Sequence, residues 1–420
     1  MRTPLGTACC LLLALAALAG CGSTQTRTTA DAGCGTRWLT VYSDLPVAGD
    51  DRADMLAIEN GEWLALHDWH KRAGDCRVQL ERFDDAGPDG VWSPGLTAQV
   101  AHSASANPSV VAYIGDFDSG ATATSLQITD AADTLQVSPW SPYVGLTNAS
   151  GADDEGDPQR YQSNGHNTFA RLVPSDYNQA AATVNFMADE GVTRLYVLGD
   201  ASDPFDADIA QLIANDAPSA GLTLVGYQTI LTDGATQPAA YASDVQQIVA
   251  ARADGVVFGG DPGAGALALW SELHAVLPAA KLFAPSTLAT PGFLAGVGAA
   301  AGSTYVTSPI LEPGQYPRAG RQVLAAYDRR YGRGRSDVYA LYGYDAMSDV
   351  LRAIKDAGRR GADPASVLYH FFHLPQIDGA IGSYRIFPDG NTSLKLIDGY
   401  RVTAAGQLTL RGGVAEVPVG

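Results

Sequence analysis

The sequence predicts an α/β protein built on parallel sheets. Apolar strand-like runs alternate with amphipathic helical stretches over most of the chain. Runs such as Val110-Val111-Ala112-Tyr113-Ile114 and Gly255-Val256-Val257-Phe258 are continuously apolar, as strands covered on both faces must be. Roughly 400 residues remain behind an N-terminal leader, more than one core usually organises, so two lobes are expected.

Taken in order, strands are predicted at Thr36 to Tyr42 and Arg77 to Phe83, a helix over Gly95 to Ser105, and a strand at Val110 to Ile114. A helix over Gly120 to Ala132 and a short strand at Leu135 to Val137 follow, then a polar, pattern-free surface loop from Asn148 to Asn167. The alternation resumes with helix Tyr177 to Glu190, strand Arg194 to Leu198, helix Ala207 to Asn215, strand Thr223 to Tyr227 and helix Tyr241 to Ala253. Strand Gly255 to Phe258, helix Ala264 to Leu277, strand Lys281 to Ala284 and helices over Arg318 to Tyr331 and Ala340 to Asp356 complete the pattern.

The first residues say where the protein works. Arg2 supplies a positive start, Leu11 to Leu18 an apolar core too short to span a bilayer, and Leu18-Ala19-Gly20-Cys21 small residues ahead of a cysteine. This is similar to the bacterial lipoprotein signal, which implies cleavage before Cys21 and lipid chains on that residue, anchoring the protein to the outside of the cell membrane. Residues 1–20 are then a signal peptide and 21–35 a lipidated tether, polar and flexible, with about 20 Å of reach.

With 27 Lys plus Arg against 45 Asp plus Glu, the net charge of −18 argues against nucleic acid, which needs basic clusters. Cys9 and Cys10 leave with the leader and Cys21 carries lipid, so Cys34 and Cys76 remain. Each precedes a predicted strand; if these strands are parallel neighbours their starts lie side by side, and a disulfide is expected.

Ile114-Gly115-Asp116-Phe117-Asp118-Ser119-Gly120 joins an apolar strand to a helix, where free backbone N–H groups and the Ser119 hydroxyl could cradle an anion or merely cap the helix. His67 with His70, and His370 with His373, lack a third ligand or the spacing of a zinc helix and read as packing or surface residues. There is no nucleophile elbow and no dinucleotide fingerprint, so neither catalysis nor a cofactor is implied.

Ile114 to Thr122, Val137-Ser138-Pro139, Gly145-Leu146-Thr147, Phe169 to Asp176, Tyr339 to Ala346 and Phe387-Pro388-Asp389-Gly390, with Leu45 to Gly49 near the start, occur in an order that resembles the leucine/isoleucine/valine-binding protein family. The resemblance implies a type I periplasmic binding fold: two Rossmann-like lobes, a three-segment hinge and a ligand in the cleft between them. It places 36–170 and 287–375 in lobe 1, and 171–286 and 376–420 in lobe 2 with the hinge return. It further implies a monomeric solute-binding protein that hands a small amino-acid-like molecule to an ABC permease.

Carried over by position, Ser119 falls where the family binds the ligand carboxylate, assisted by backbone around Trp140, Ser141 and Pro142, although Pro142 has no N–H to give. Phe205 falls on a second-lobe aromatic. Asp261 and Ser286 depart from the family's tyrosine and acid, and Asp261 is expected to take over as partner of a ligand ammonium group. Asp50, Asp51 and Asp54 read as solvated surface. A ligand-sensing lipoprotein of the same fold is the alternative, an extracytoplasmic enzyme the more distant one.

Overall fold

The computed structural model describes residues 33–49, 51–149, 156–332 and 337–414. The leader and Cys21 lie outside them. No described helix is long and apolar enough to cross a membrane.

The chain builds its first lobe from β1 (Trp38–Asp44), α1 (Arg52–Asp68), β2 (Arg72–Ala73), β3 (Cys76–Phe83), α2 (Pro94–Ala106), β4 (Val110–Ile114), α3 (Ser119–Ala131), β5 (Leu135–Ser138) and β6 (Phe169–Arg171). These strands form one sheet in the order β2-β3-β1-β4-β5-β6, parallel apart from the short β2. The second lobe follows: α4 (Asp176–Asp189), β7 (Arg194–Asp200), α5 (Pro204–Asp216), β8 (Thr223–Ile230), α6 (Ala242–Ala250), β9 (Gly255–Gly259), α7 (Ala264–Val276), β10 (Lys281–Ala284), α8 (Pro291–Gly296) and β11 (Thr304–Ser308).

The chain then returns to the first lobe with α9 (Arg318–Tyr331), α10 (Tyr339–Ala357), α11 (Pro364–Phe372) and the hairpin of β12 (Ile377–Asp378) and β13 (Ser383–Tyr384). It ends in the second lobe with β14 (Ile397–Val402) and β15 (Leu408–Val414), which close a sheet ordered β15-β14-β11-β10-β9-β7-β8. The chain therefore passes between the lobes three times, at 172–175, 309–317 and 393–396.

Each sheet is covered by helices, and its inner parallel strands carry no exposed face: Val110 to Ile114 are all buried, as are Gly255 to Gly259, whereas the edge strand β8 is partly exposed. Helix α10 packs on α1 at close range because Gly61 and Gly343 carry no side chain. A Cβ on Gly61 would stand 2.0 Å from the Ala340 carbonyl oxygen, and one on Gly343 would stand 2.1 Å from that of Ile58.

Two assignments differ from the sequence reading. Within the stretch 287–375, expected in lobe 1, Thr304–Ser308 is instead an inner strand of the second sheet, with Tyr305 beside Phe283 on β10 and Val306 opposite Tyr400 on β14. Its sequence, Thr-Tyr-Val-Thr-Ser, is too polar to stand out as a buried strand, and pairing on both edges places it there. Within 376–420, expected in lobe 2, the segment around β12 and β13 stays on the first lobe: the Ala380 and Ile381 N–H groups donate to the Asp345 carboxylate of α10 at 2.9 Å each.

The parallel pairing of β1 with β3 sets Trp38 beside Arg77 and brings their leading cysteines together. Cys34 and Cys76 form a disulfide with Cα atoms 5.0 Å apart. The loop expected to lie on the surface from Asn148 to Asn167 is partly internal: Tyr161 is buried against Tyr143 and Leu146, and the Tyr143 hydroxyl donates to Asp157 at 2.7 Å.

Candidate functional site

The C-terminal ends of β1, β4 and β5 converge on the turn Gly115–Ser119, the position where open α/β sheets bind ligands. Gly115 has φ +146°, and a Cβ there would come within 2.7 Å of the Asp44 carbonyl oxygen, so the turn can approach β1 only with glycine. Asp116 is fixed from every side. Its N–H donates to Thr122 Oγ1 at 3.3 Å, and its carbonyl accepts from the Ser138 and Ser141 hydroxyls at 2.6 and 3.1 Å. The turn is thus held by the sheet beneath and the next loop beside it.

Ser119 opens α3 and is half-buried, its Oγ accepting from the Tyr143 N–H at 3.2 Å. Trp140 is 5% exposed, and its indole stacks on Phe117 at 5.5 Å with Tyr339 at 5.2 Å completing a three-ring cluster. The second-loop donors expected to assist a ligand already have acceptors: Trp140 N–H gives to Ser138 Oγ at 3.0 Å and Ser141 N–H to the Phe117 carbonyl at 3.1 Å. Ser141 is itself buried, with φ +45°, and its hydroxyl pairs with Thr122 Oγ1 at 2.6 Å. It sits as a brace behind the turn.

Phe205, the second residue of α5, crosses from the other lobe and meets the Tyr143 ring edge-on at 5.2 Å. It also stands close to Gly120, where an added Cβ would approach it to 3.2 Å. The lobes therefore touch directly beside Ser119. Asp261 lies exposed after β9, and the neighbouring Thr287 hydroxyl reaches the Gly260 carbonyl at 3.4 Å. Ser286 is buried, donating to Gln179 Oε1 at 2.8 Å. The structure gathers Ser119, Trp140, Ser141 and Phe205 around one turn, and sets Ser286 behind the Asp261 loop.

The electrostatics of this region are acidic. The Asp118 carboxyl, half-buried next to Ser119, is held well above the usual carboxylate range by burial and then by Asp85, Asp261, Asp51 and Asp116. Asp261 of the second lobe therefore bears on Asp118 of the first. Asp54, expected on the solvated surface, is half-buried and pushed up by burial and by Asp337, which sits two residues before Tyr339. Both acids border the ring cluster.

Arg171, within the Phe169 to Asp176 motif, is central to the loop. Wholly buried at the end of β6, it donates through Nη1 to the Ser141 and Tyr143 carbonyls at 2.8 and 2.7 Å, and through Nη2 to Thr147 Oγ1 at 2.5 Å. Burial lowers its pKa to about 10, still leaving it charged at neutral pH. A lone arginine after a short strand gives no sequence signal of this task.

A separate cavity of about 220 Å³ lies among the three lobe crossings, lined by Pro174, Pro309, Leu311, Tyr342, Ile381 and Leu396. It is mainly apolar and contains none of the six expected ligand-binding residues. The His67/His70 and His370/His373 pairs lie away from the turn on α1 and α11 or just beyond them.

Comparison with known proteins agrees with this architecture. No curated protein matches the chain. A leucine-binding protein of Thermotoga maritima superposes with TM-score 0.73 at 18% identity, over 89% of this chain and 98% of that one. A substrate-binding protein of an ABC transporter from Desulfitobacterium hafniense, in complex with leucine, gives 0.71 at 18% identity over 89% and 99%. A solute-binding protein from R. palustris in complex with benzoate gives 0.70 at 16% over 90% and 96%. The family described as periplasmic binding protein matches residues 24–407, nearly the whole sequence, and the chain belongs to it.

Proposed function

We propose that the protein is the extracytoplasmic solute receptor of an ABC importer and that it grips a small amine-bearing, amino-acid-like solute between its lobes. The observation that carries the choice of ligand is the repulsion that Asp118, next to Ser119, feels from Asp85 on its own lobe and from Asp261 on the other. Acids that repel one another across the lobes are relieved by a cationic group among them, which each can meet with a charge-assisted contact. The Phe117–Trp140–Tyr339 cluster adds ring faces that favour a cation. Benzoate, the ligand of one fold relative, is an anion and meets the wrong charge here.

In this reading the Ser119 hydroxyl and the start of α3 take the solute's carboxylate, Phe205 covers it from the second lobe, and Asp261 completes the ammonium site. Bending at the three crossings opens and shuts the cleft, and the solute favours the shut form by its difference in affinity for the two. The diacylglyceryl thioether and acylated amino terminus of Cys21 hold the receptor at the membrane. A Cys21→Ser variant that still sediments with membranes would refute the tether.

A thermal-shift panel tests the ligand class, because a solute at about 100 times its Kd stabilises the fold by roughly 2.7 kcal/mol. Basic and neutral amino acids and simple amines are expected to raise Tm, and Asp261→Ala to abolish the rise. A rise with neutral sugars or simple anions, and none with amines, overturns the proposal.

A further inference from the structure

We propose that Asp44, Asp85 and Asp116 form a binding site for a hard divalent cation, calcium foremost, beneath the Gly115–Ser119 turn. Asp44 ends β1, Asp85 follows β3 by two residues and Asp116 follows β4 by two, and these strands are neighbours in the order β3-β1-β4. The sheet thus delivers three carboxylates to one point. All three residues are without solvent exposure, and one oxygen from each lies within 4.8 Å of the other two.

Their hydrogen bonds are incomplete in an informative way. The Tyr113 hydroxyl reaches Asp44 Oδ2 at 3.0 Å and Asp116 Oδ1 at 2.7 Å, the Thr97 hydroxyl donates to Asp85 Oδ2 at 2.6 Å, and the Ser125 hydroxyl donates to Asp116 Oδ2. Asp44 Oδ1 and Asp85 Oδ1 are buried with no partner. No lysine, arginine or histidine pairs with any of the three among the described residues. A dry group of three carboxylates needs compensating charge. A proton on Asp44 Oδ2, given to the Tyr113 hydroxyl, relieves part of that charge but leaves Asp44 Oδ1 and Asp85 Oδ1 buried without partners.

A cation uses those same two oxygens. Calcium takes oxygen ligands at about 2.3–2.6 Å, so oxygens on one ion lie up to roughly 5 Å apart, which matches the observed grouping. An all-oxygen set without sulfur or imidazole suits calcium, magnesium or manganese rather than zinc. Calcium tolerates irregular carboxylate geometry, whereas magnesium demands a near-ideal octahedron and keeps its water. Bidentate carboxylates and water would fill the remaining positions. Bound there, the ion ties the ends of three strands to the turn that carries Ser119, and it touches no solute in the cleft.

The test uses the full chain, freed of metal with chelator and free of solute, so it is independent of the ligand proposal. Calcium near about 1 mM, the working range of extracellular sites, is expected to bind one ion per chain by calorimetry and raise Tm by several degrees. Terbium is expected to glow under tyrosine excitation, through Tyr113, and to be displaced by calcium. Asp44→Asn and Asp85→Asn should each weaken calcium roughly tenfold or more, and Asp261→Ala should leave it unchanged. Wild-type protein giving neither heat nor a Tm shift with calcium overturns the site, whether or not the variants fold. So does a calcium response that survives both asparagine variants.

Discussion

Replacing Arg171 with methionine is the most direct probe of how the cleft is held. Methionine keeps much of the unbranched stem but removes the cation. Three bonds go with it, to the Ser141 carbonyl, the Tyr143 carbonyl and Thr147 Oγ1. Hydrogen bonds to a charged group contribute about 1.5–3 kcal/mol each, and the two carbonyls are left buried without these donors. Removing an unpaired buried cation also relieves its own desolvation, which offsets part of the loss; Asp176 and Asp389 favour the charge but make no ion pair with it among the described residues. Three such bonds, less the relieved desolvation, leave a loss of roughly 3–5 kcal/mol. Urea unfolding measures it. Because the Tyr143 N–H holds Ser119 Oγ, solute affinity should fall as well, and Arg171→Lys, with charge but no planar fork, should recover only part of either. A methionine variant within about 1 kcal/mol of wild type would mean that the loop is fixed by something else, and the argument from these three bonds would fail.

Three further outcomes are expected. The Cys34–Cys76 bridge closes a separation of 42 residues, for which the chain-entropy model gives about 4 kcal/mol, so Cys34→Ala with Cys76→Ala should lower stability by up to that amount; a loss under about 1 kcal/mol would rule the entropic account out here. The buried Asp176 carboxyl, raised to about 7 by burial and by Asp208, keeps its proton in the folded state where the unfolded chain has lost it. Its contribution is therefore full below about pH 4 and is lost as pH rises towards 7, at most about 4 kcal/mol in all; Asp176→Asn should flatten that slope in urea midpoints taken from pH 4 to 8, and an unchanged slope would contradict the shift. A double-mutant cycle on Tyr143→Ala and Phe205→Ala should return a coupling of about 1 kcal/mol, as an edge-on ring pair gives, and zero coupling would show that the lobes do not meet there in solution.

How much of this was legible in the sequence depends on whether a residue's task is local. Val110–Ile114 and Lys281–Ala284 were read at their observed limits because a continuously apolar run between polar turns has one plausible fate. The start of α3 was read within one residue, Gly120 against the observed Ser119 with Asp118 as its cap, because strand, glycine turn and hydroxyl follow one another in the chain. The strand Thr304–Ser308 escaped notice because its identity comes from β10 and β14 on either side. Arg171 escaped for a similar reason, since its acceptors lie 24 to 30 residues earlier in a loop without regular structure. Asp44, Asp85 and Asp116 each look like a surface acid after a strand, and only the crossover order β3-β1-β4 makes them neighbours.

The same logic explains why the cleft departs from the composition its resemblance implied. Ser141 and the N–H groups of Trp140 and Ser141 are spent on holding the Gly115–Ser119 turn against the sheet, so in this chain the second loop supports the first. Ser286 likewise is committed to Gln179. On the proposed reading, what remains to meet a solute is the Ser119 hydroxyl, the start of α3, ring faces and acids of both lobes. A site with one oxyanion cradle and several carboxylates discriminates by charge more than by side-chain shape, because each carboxylate penalises an anion while a second ammonium group is attracted to it. The order of affinity that follows is basic over neutral over acidic amino acids. Competition calorimetry with lysine, leucine and glutamate would settle it, and glutamate binding as tightly as lysine would show that the acids at Asp118 and Asp261 do not face the guest.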